Sequence, residues 1–224
     1  MDPDPRRNRE GLADFFRLHP HPGGIIVCEE PKFIYMKPSK TAGTSILRHG
    51  LQNRLEGIFH HKDHPERFAE WIGSITDEEL EEYFIFSVVR NPWDRLVSIA
   101  SYFDFPFKEF VRRLDAYWED EIVRVHSLPL HWYTHQEGVP FVDFICRFES
   151  LQADMNLVFD RIGLGREPLA FVNRSRHRHY SVYYGREEVE VVESLYAQDI
   201  EYHGYMFEGR ERGWKGLMGR LRRR

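Results

Sequence analysis

One segment, KTAGTS at residues 40–45, constrains the fold of this chain more than any other. It follows an apolar run at residues 33–36 and leads into an amphipathic stretch at residues 46–55. This pattern predicts a buried strand, a tight loop with a glycine, and then a helix. A helix start offers unpaired backbone N–H groups and a partial positive charge, and the segment adds an ammonium and three hydroxyls. We therefore predict that this loop binds a phosphate or sulfate group.

The loop differs from the Walker A loop of ATP and GTP enzymes. That loop reads GxxxxGK[ST], with its lysine directly after the last glycine. Here Lys40 comes three residues before Gly43. The order of lysine and glycine therefore argues against an ATP- or GTP-dependent enzyme. The alternative for the segment is an ordinary capped helix start, because serine and threonine are good N-caps.

A second strand-to-helix junction occupies residues 84–98, with the sequence FIFSVVRNPWDRLVS. Its apolar run ends at Arg90, and Pro92 suits the first turn of a helix, where its missing N–H costs nothing. Ser98 comes about two helical turns later. An arginine fork at a strand end, with a hydroxyl from the next helix, can hold a second phosphate bidentately. The alternative for Arg90 is a structural ion pair with Asp94.

Both segments resemble the donor-binding motifs of one enzyme family. PSKTAGTS resembles the 5′-phosphosulfate loop of sulfotransferases, particularly carbohydrate sulfotransferases of the family 2 type, whose loop reads PKTAGTS. VVRNPWDRLVS is similar to their 3′-phosphate motif. The resemblance covers roughly residues 33–207. One departure is Ser39, which separates Pro38 from Lys40 where the family usually has Pro-Lys directly.

The resemblance implies a donor, 3′-phosphoadenosine 5′-phosphosulfate (PAPS), and a set of residues that hold it. Lys40 would contact the 5′-phosphate and the leaving oxygen, so that no metal is required. Arg90 and Ser98 would hold the 3′-phosphate. A basic stretch at residues 171–180 corresponds to a loop that closes over the nucleotide in the family, or else it is a solvated loop. The predicted cofactor-binding residues are Lys40, Thr41, Ala42, Gly43, Thr44, Ser45, Arg90, Ser98, Asn173, Ser175 and Arg176.

A histidine cluster is predicted to supply the base that deprotonates the acceptor. A general base needs a pKa near the operating pH, which favours histidine. His60, His61 and His64 follow the first helix, and related sulfotransferases place a histidine in about this region. We favour His61 as the catalytic residue, with His60 second. The alternatives are a solvated surface loop and a His/Asp metal site. The other candidate bases are Glu29, Glu30 and Asp63.

Composition fits one ordinary α/β enzyme domain. The 224-residue chain has 42% hydrophobic and 30% charged residues and a net charge of −5, so nucleic-acid binding by bulk electrostatics is not expected. Cys28 and Cys146 lie in apolar segments and are predicted to be buried thiols. No apolar run approaches the ~20 residues that span a bilayer, and the start of the chain lacks the apolar core of a signal peptide. We therefore expect a cytoplasmic enzyme without a transmembrane segment.

Apolar strands that alternate with helical patterns predict the architecture. We expect an α/β fold with a P-loop-like, mainly parallel β-sheet flanked by helices on both faces, which is a three-layer sandwich. Ligands of such sheets bind outside the carboxyl ends of the strands, where both motifs fall. A short buried strand is predicted over residues 142–148. The predicted organisation is a poorly ordered lead at 1–22, a single sulfotransferase domain at 23–209, and a basic tail at 210–224.

The function that the resemblance implies is sulfuryl transfer. The chain is expected to move the sulfuryl group of PAPS to a hydroxyl of an acceptor, and a carbohydrate is the favoured acceptor. Two alternatives remain open, a nucleotide-binding protein without transfer activity and a small-molecule kinase. Two features argue against a kinase: the chain has no GxxxxGK[ST] motif, and it has no obvious Mg²⁺-binding carboxylate after a strand.

Overall fold

The computed structural model describes residues 9–18, 24–170 and 178–209, and its centre is a five-stranded sheet. The strands run in the order β3-β1-β2-β4-β7, while β5 and β6 form a separate two-stranded ribbon. In chain order the strands are β1 (Ile25–Glu29), β2 (Lys32–Met36), β3 (Phe59–His60), β4 (Phe84–Val89), β5 (His135–Gln136), β6 (Val139–Pro140) and β7 (Phe144–Arg147).

Strand directions bring the two predicted anion loops to one edge of this sheet. β4 runs parallel to both β2 and β7, whereas β1 runs antiparallel to β2 and β3. Four of the five strands therefore point the same way, which confirms the prediction of a mainly parallel sheet. Met36 pairs with Ser87 near the ends of neighbouring strands. We call this edge, where β2 and β4 end, the carboxyl edge.

Helices connect and cover the strands. In chain order they are α1 (Leu12–Leu18), α2 (Gly43–Ser45), a π-helical segment (Ile46–Gln52), α3 (Pro65–Ser74), α4 (Asp77–Leu80), α5 (Pro92–Phe103), α6 (Phe107–Arg112), α7 (Leu114–Tyr117), α8 (Glu121–Ser127), α9 (Leu151–Arg161), α10 (Arg186–Leu195) and α11 (Ala197–His203). Short 3₁₀ turns occupy Leu130–Tyr133, Phe148–Ser150 and Tyr180–Val182.

Strand β2 separates two hydrophobic cores. Its side chains alternate between the two faces of the sheet, as those of any strand do. Ile34 and Met36 enter one core, which α1, α3 and α4 cover. Phe33 and Tyr35 enter the other core, which the π-helical segment and α9 cover. Helices therefore cover both faces of the sheet, and the predicted three-layer sandwich is confirmed.

Three elements differ from their predictions. The helix expected over residues 46–55 ends at Gln52 and is π-helical, with Gly50 packed closely: a Cβ there would lie 3.0 Å from a methyl carbon of Leu169. The strand expected over 142–148 is limited to Phe144–Arg147 and is only partly buried, because β7 lies at the end of the sheet and has one neighbour. β3 was not predicted, since two residues are too short to show a strand pattern.

The described residues divide into two compact units. One takes in the described parts of Met1–Arg90 and Tyr117–Arg174, and the other those of Asn91–Ala116 and Ser175–Arg224. The predicted boundaries at residues 22 and 209 stay predictions. Within the predicted lead, α1 packs into the first core, where Leu12 and Phe16 are buried. The predicted basic tail, 210–224, lies outside the described residues.

Helix α5 opens the second unit. Its N-cap is Asn91, whose side-chain oxygen accepts hydrogen bonds from the backbone N–H groups of Trp93 (3.0 Å) and Asp94 (3.2 Å). Pro92 takes the first helical position, as predicted. The helix ends before Asp104, which has a φ of 56°. Across the described ranges, none of the helices has the length and apolar character needed to cross a bilayer.

Arg9 ties the start of the described chain to the first unit. Its buried guanidinium donates to the carbonyl oxygens of Leu80 (2.5 Å) and Tyr83 (3.1 Å). It also lies 2.5 Å from the Asp143 carboxylate, which in turn accepts a hydrogen bond from the backbone N–H of Ile85 at 2.7 Å. A buried cation of this kind depends on its carboxylate.

We expect Asp143→Ala to lower the free energy of unfolding by about 3–5 kcal/mol, because it removes the carboxylate that lies 2.5 Å from the buried guanidinium of Arg9 and leaves the more distant and exposed Glu81 at 3.8 Å. Urea unfolding followed by circular dichroism measures the loss. The matched control is Asp14→Ala, which removes the exposed partner of Arg17 at 2.7 Å. The control is expected to cost less than about 1 kcal/mol. Equal losses in the two variants would contradict this account.

Candidate functional site

The loop after β2 has a backbone that ordinary residues rarely adopt. Lys40 has a φ of 65° and Ala42 a φ of 66°, although neither is a glycine. Left-handed conformations of this kind cost energy and cluster at functional sites. Turns that include left-handed residues can point successive N–H groups toward one anion. The backbone of this loop therefore fits the predicted anion site.

The start of α2 after this loop carries no side-chain cap from the described residues. Its N-cap is Ala42, which has no side-chain acceptor. The hydroxyl of Thr41 donates instead to the carbonyl oxygen of Pro38 at 3.0 Å, within the loop itself. The alternative of an ordinary capped helix start is therefore wrong. Backbone N–H groups at this start can take an anion instead.

Arg90 joins the two predicted motifs at the carboxyl edge. It follows β4 directly, and its Nη1 donates to the carbonyl oxygen of Lys40 at 2.9 Å. The guanidinium lies 4.0 Å from the centre of the Phe148 ring, and the residue is 5% exposed. Because β2 and β4 are parallel neighbours, the loops that follow them meet here.

Two cations held this close affect each other. Burial, and after it the charge of Arg90, lowers the pKa of Lys40 to about 8. The protein environment thus disfavours the protonated ammonium. An anionic ligand would oppose both effects and raise the pKa of Lys40 again. The electrostatics of the loop therefore favour a negatively charged ligand.

The remaining predicted cofactor-binding residues fall in three places. Thr41, Gly43 and Ser45 are buried in the loop and in α2, while Ala42 and Thr44 are half-buried there. Ser98 is buried in α5 and belongs to the second unit. Asn173, Ser175 and Arg176 lie outside the described residues.

The predicted histidine cluster divides into three environments. His60 ends β3, pairs with Ile26 of β1 and is 8% exposed. His61 is half-buried, and its ring stacks on that of His60 with 4.9 Å between the centroids. His64 is exposed. The alternative of a solvated loop therefore describes His64 and is wrong for His60.

Backbone contacts fix the protonation of the two rings. Nδ1 of His61 accepts from the N–H of Ile25 at 3.0 Å, and Nδ1 of His60 accepts from the N–H of Lys62 at 3.1 Å. A neutral ring that accepts at Nδ1 carries its proton on Nε2. Burial, and after it the charge of Lys37, lowers the pKa of His60 to about 4. Burial likewise lowers the pKa of His61, with a smaller contribution from Lys62. Both rings are therefore neutral at neutral pH and present Nε2–H groups.

The two histidines differ in how deeply their side chains are buried. Nε2 of His60 is buried and has no hydrogen-bond partner within the described ranges. A Cβ on Gly24 would lie only 2.7 Å from this nitrogen, so the glycine backbone covers it. His61 is half-buried and keeps part of its surface exposed. Of the two predicted histidines, His61 is therefore the more exposed.

Two of the other candidate bases lie at the wrong edge of the sheet. In the register of β1 and β2, Ile25 pairs with Met36 at the carboxyl edge, whereas Glu29 pairs with Lys32. At ~3.3 Å per residue, Glu29 lies roughly 13 Å from that edge. Glu30, which follows it, lies there too. Neither carboxylate therefore lies near the two predicted anion loops.

Asp63 is both the third candidate base and a possible ligand in the alternative metal site. Asp63 is exposed, and its carboxylate lies 3.9 Å from Nδ1 of His60. In the part of the chain that the structure describes, no group of three or more His, Cys, Asp and Glu side chains is placed to hold a metal ion. The described residues therefore lend no support to the alternative metal site.

Both cysteines lie in the second hydrophobic core. Cys28 and Cys146 are free and buried, as predicted, and burial raises the pKa of both.

Sequence reasoning missed Lys37, which follows β2 and packs directly on Gly43. Burial lowers the pKa of this lysine. The signal that could have found it is the small residue at 43, which leaves room for a side chain to cross the loop.

Comparisons with known proteins agree with the family resemblance. The model of the Sulfotransferase family matches residues 23–206. Carbohydrate sulfotransferase 10 of Danio rerio is 27% identical over 139 residues, which cover 54% of this chain and 36% of that protein. An uncharacterized protein of Archaeoglobus fulgidus is 29% identical over 108 residues, or 45% of this chain and 85% of that protein. The chain thus matches little more than a third of the Danio rerio protein. No solved structure shows a significant match.

We expect the Lys40 amine to titrate with a pKa of about 8, and Arg90→Met to move this pKa upward, because the variant removes a neighbouring positive charge. NMR of isotopically methylated lysine amines measures the titration. Burial persists in the variant, so the pKa should stay below the ordinary value for lysine. Arg48→Met, at an exposed arginine of the π-helical segment, is the control and should change nothing. An unchanged pKa in Arg90→Met would refute the coupling.

Proposed function

Because this chain belongs to the Sulfotransferase family, we propose that it transfers the sulfuryl group of PAPS to a hydroxyl group of a carbohydrate acceptor. One observation carries the proposal: the hydrogen bond from Arg90 to the carbonyl of Lys40, which joins the two predicted anion loops. The acceptor class is supported by the similarity to a protein named carbohydrate sulfotransferase 10.

The residues of the first unit fit the anionic groups of PAPS. Lys40 and the uncapped start of α2 offer a cation and N–H groups for the 5′-phosphosulfate. Arg90 offers a planar fork, which suits the 3′-phosphate. The hydroxyl of Thr41 is engaged with Pro38, so we assign this residue to the shape of the loop. Ser98, Asn173, Ser175 and Arg176 stay predictions from the sequence.

The proposed reaction depends on positioning and charge. PAPS supplies an activated sulfuryl group, whose bond to the bridging phosphate oxygen is exchanged for a bond to the acceptor oxygen. Lys40 stabilises the negative charge that remains on the phosphate oxygen. The loop holds the donor still while the acceptor approaches. The proton of the acceptor hydroxyl passes to a base, for which we propose His61.

The protonation of His61 sets a condition on this role. In the arrangement described above, the neutral ring carries its proton on Nε2 and accepts from the N–H of Ile25 at Nδ1. It can therefore donate a hydrogen bond to the acceptor oxygen, as neutral histidines do in other active sites. To take a proton at Nε2, it must first carry its own proton on Nδ1 and release the Ile25 N–H. His60, stacked beside it and buried, is assigned a positioning role.

We expect wild-type protein to bind the desulfonated product, 3′-phosphoadenosine 5′-phosphate (PAP), and Arg90→Ala to weaken this binding at least roughly tenfold, since a charge-assisted pair is lost. Isothermal titration calorimetry measures both affinities. ATP is the ligand control and should bind more weakly, because it lacks the 3′-phosphate that we assign to Arg90. Equal binding of ATP and PAP would show that the loops have been misread.

His61→Ala is expected to lower the rate of transfer by about 10²–10⁴-fold, the usual effect of removing an acid–base group. The measurement is transfer of a radiolabelled sulfuryl group to a panel of carbohydrates. PAP affinity should be unchanged, since His61 lies outside the phosphate loops. His64→Ala is the matched control, because that ring is exposed and three residues away. If the two variants were equally active, His61 would not be the residue that meets the acceptor.

A further inference from the structure

Lys37 crosses the loop that we assign to the phosphosulfate. Its side chain lies directly on Gly43: a Cβ at that glycine would be 2.9 Å from Cε, 3.0 Å from Cγ and 3.2 Å from Cδ of the lysine. Distances this short mean that any larger residue at 43 would displace the lysine stem. Cε, which carries the ammonium, is the nearest of the three atoms. The ammonium of Lys37 is therefore held at the start of α2.

The base of the same side chain lies beside the histidine pair. The backbone N–H of Lys37 donates to the carbonyl of Gly24 at 2.9 Å. A Cβ on Gly24 would lie 3.6 Å from Cβ of Lys37 and 2.7 Å from Nε2 of His60. Two glycines thus leave room for the lysine stem to run from His60 toward the loop. Lys37 occupies the space between the donor loop and the histidines.

The Lys37 ammonium makes no hydrogen bond or ion pair with the residues that the structure describes, although it is half-buried. Its charged neighbours are Lys62, which repels it, and Asp63, which attracts it. Burial is the main cause that lowers the pKa of Lys37, and the charge of Lys62 adds to it. A partly buried cation without a partner is costly, and an anion beside it would offset the cost.

We propose that Lys37 binds the sulfuryl oxygens of the donor and so distinguishes PAPS from PAP. The inference rests on the proposed function. In that function the phosphates lie on the side of Lys40 and Arg90, and the acceptor lies on the side of His61. The group in transit must lie between them, where Lys37 is held. In PAPS one negative charge lies on the sulfuryl oxygens, whereas in PAP the corresponding charge lies on the 5′-phosphate, on the side of Lys40. Lys37 therefore has a directly adjacent ionic partner only in the donor.

The test compares two ligands that differ only in the sulfuryl group. Calorimetry with PAPS and with PAP is carried out on wild type, Lys37→Met and Lys62→Met. Methionine keeps an unbranched stem on Gly43 and removes the charge. Lys37→Met should weaken PAPS binding by about 10- to 100-fold, the usual effect of one hydrogen bond to a charged group, and PAP binding by less than about threefold. Lys62→Met, at an exposed lysine near the same histidines, should change neither affinity by more than about threefold.

The outcomes separate this inference from the proposed function. Unchanged PAPS binding in Lys37→Met would overturn the role of Lys37, as would equal weakening of PAPS and PAP. In both cases wild-type PAP binding would leave the proposed function standing. If wild type bound neither nucleotide, or bound ATP as well as PAP, the proposed function would fail and the assignment of Lys37 with it. Retained PAP binding in the variant shows in addition that its loop is folded.

Discussion

The parallel pairing of β2 with β4 is the constraint on which the rest of the site depends. It places the ends of the two strands side by side, so that Arg90 can donate to the carbonyl of Lys40 at 2.9 Å. This bond holds a loop whose backbone is left-handed at two non-glycine residues, Lys40 and Ala42. Such conformations persist only where the surroundings determine them. The guanidinium therefore shapes the proposed anion site as well as contributing charge to it.

Much of this arrangement could be predicted from the sequence. The apolar runs before Lys40 and Arg90 predict buried strands, and Gly43 and Pro92 mark the turns that follow. Each motif thereby predicts a strand end with a cation, and the family resemblance implies PAPS as the ligand that would bind both. The three-layer fold follows from the same alternation of strands and helices. These features are local patterns of six to fifteen residues, which a single sequence displays directly.

Other features of the site depend on distant contacts, which sequence patterns do not reveal. β3 has two residues, and its burial comes from pairing with β1. The left-handed backbone at Ala42 shows no glycine that would predict it. The acceptor role of Nδ1 in His61 follows from the position of Ile25, thirty-six residues earlier. Lys37 lies just before PSKTAGTS, the segment that carries the resemblance, so the sequence pattern marks only Lys40. In each case tertiary contacts determine the chemistry.

The charge of the whole chain and the charge of the site have opposite signs. The chain carries a net charge of −5, yet Lys37, Lys40 and Arg90 converge on one edge of the sheet. Long-range attraction of an anionic donor is therefore weak, and screening by salt reduces it further. Any affinity for the proposed donor would then come from short-range contacts in the partly buried loop, where charges interact more strongly than in water. Burial already lowers the pKa of Lys37 and Lys40, so a bound anion would restore the protonated state that holds it. Binding of the proposed donor would then be coupled to protonation of the two lysines, because both ammonium groups are favoured when the anion is present.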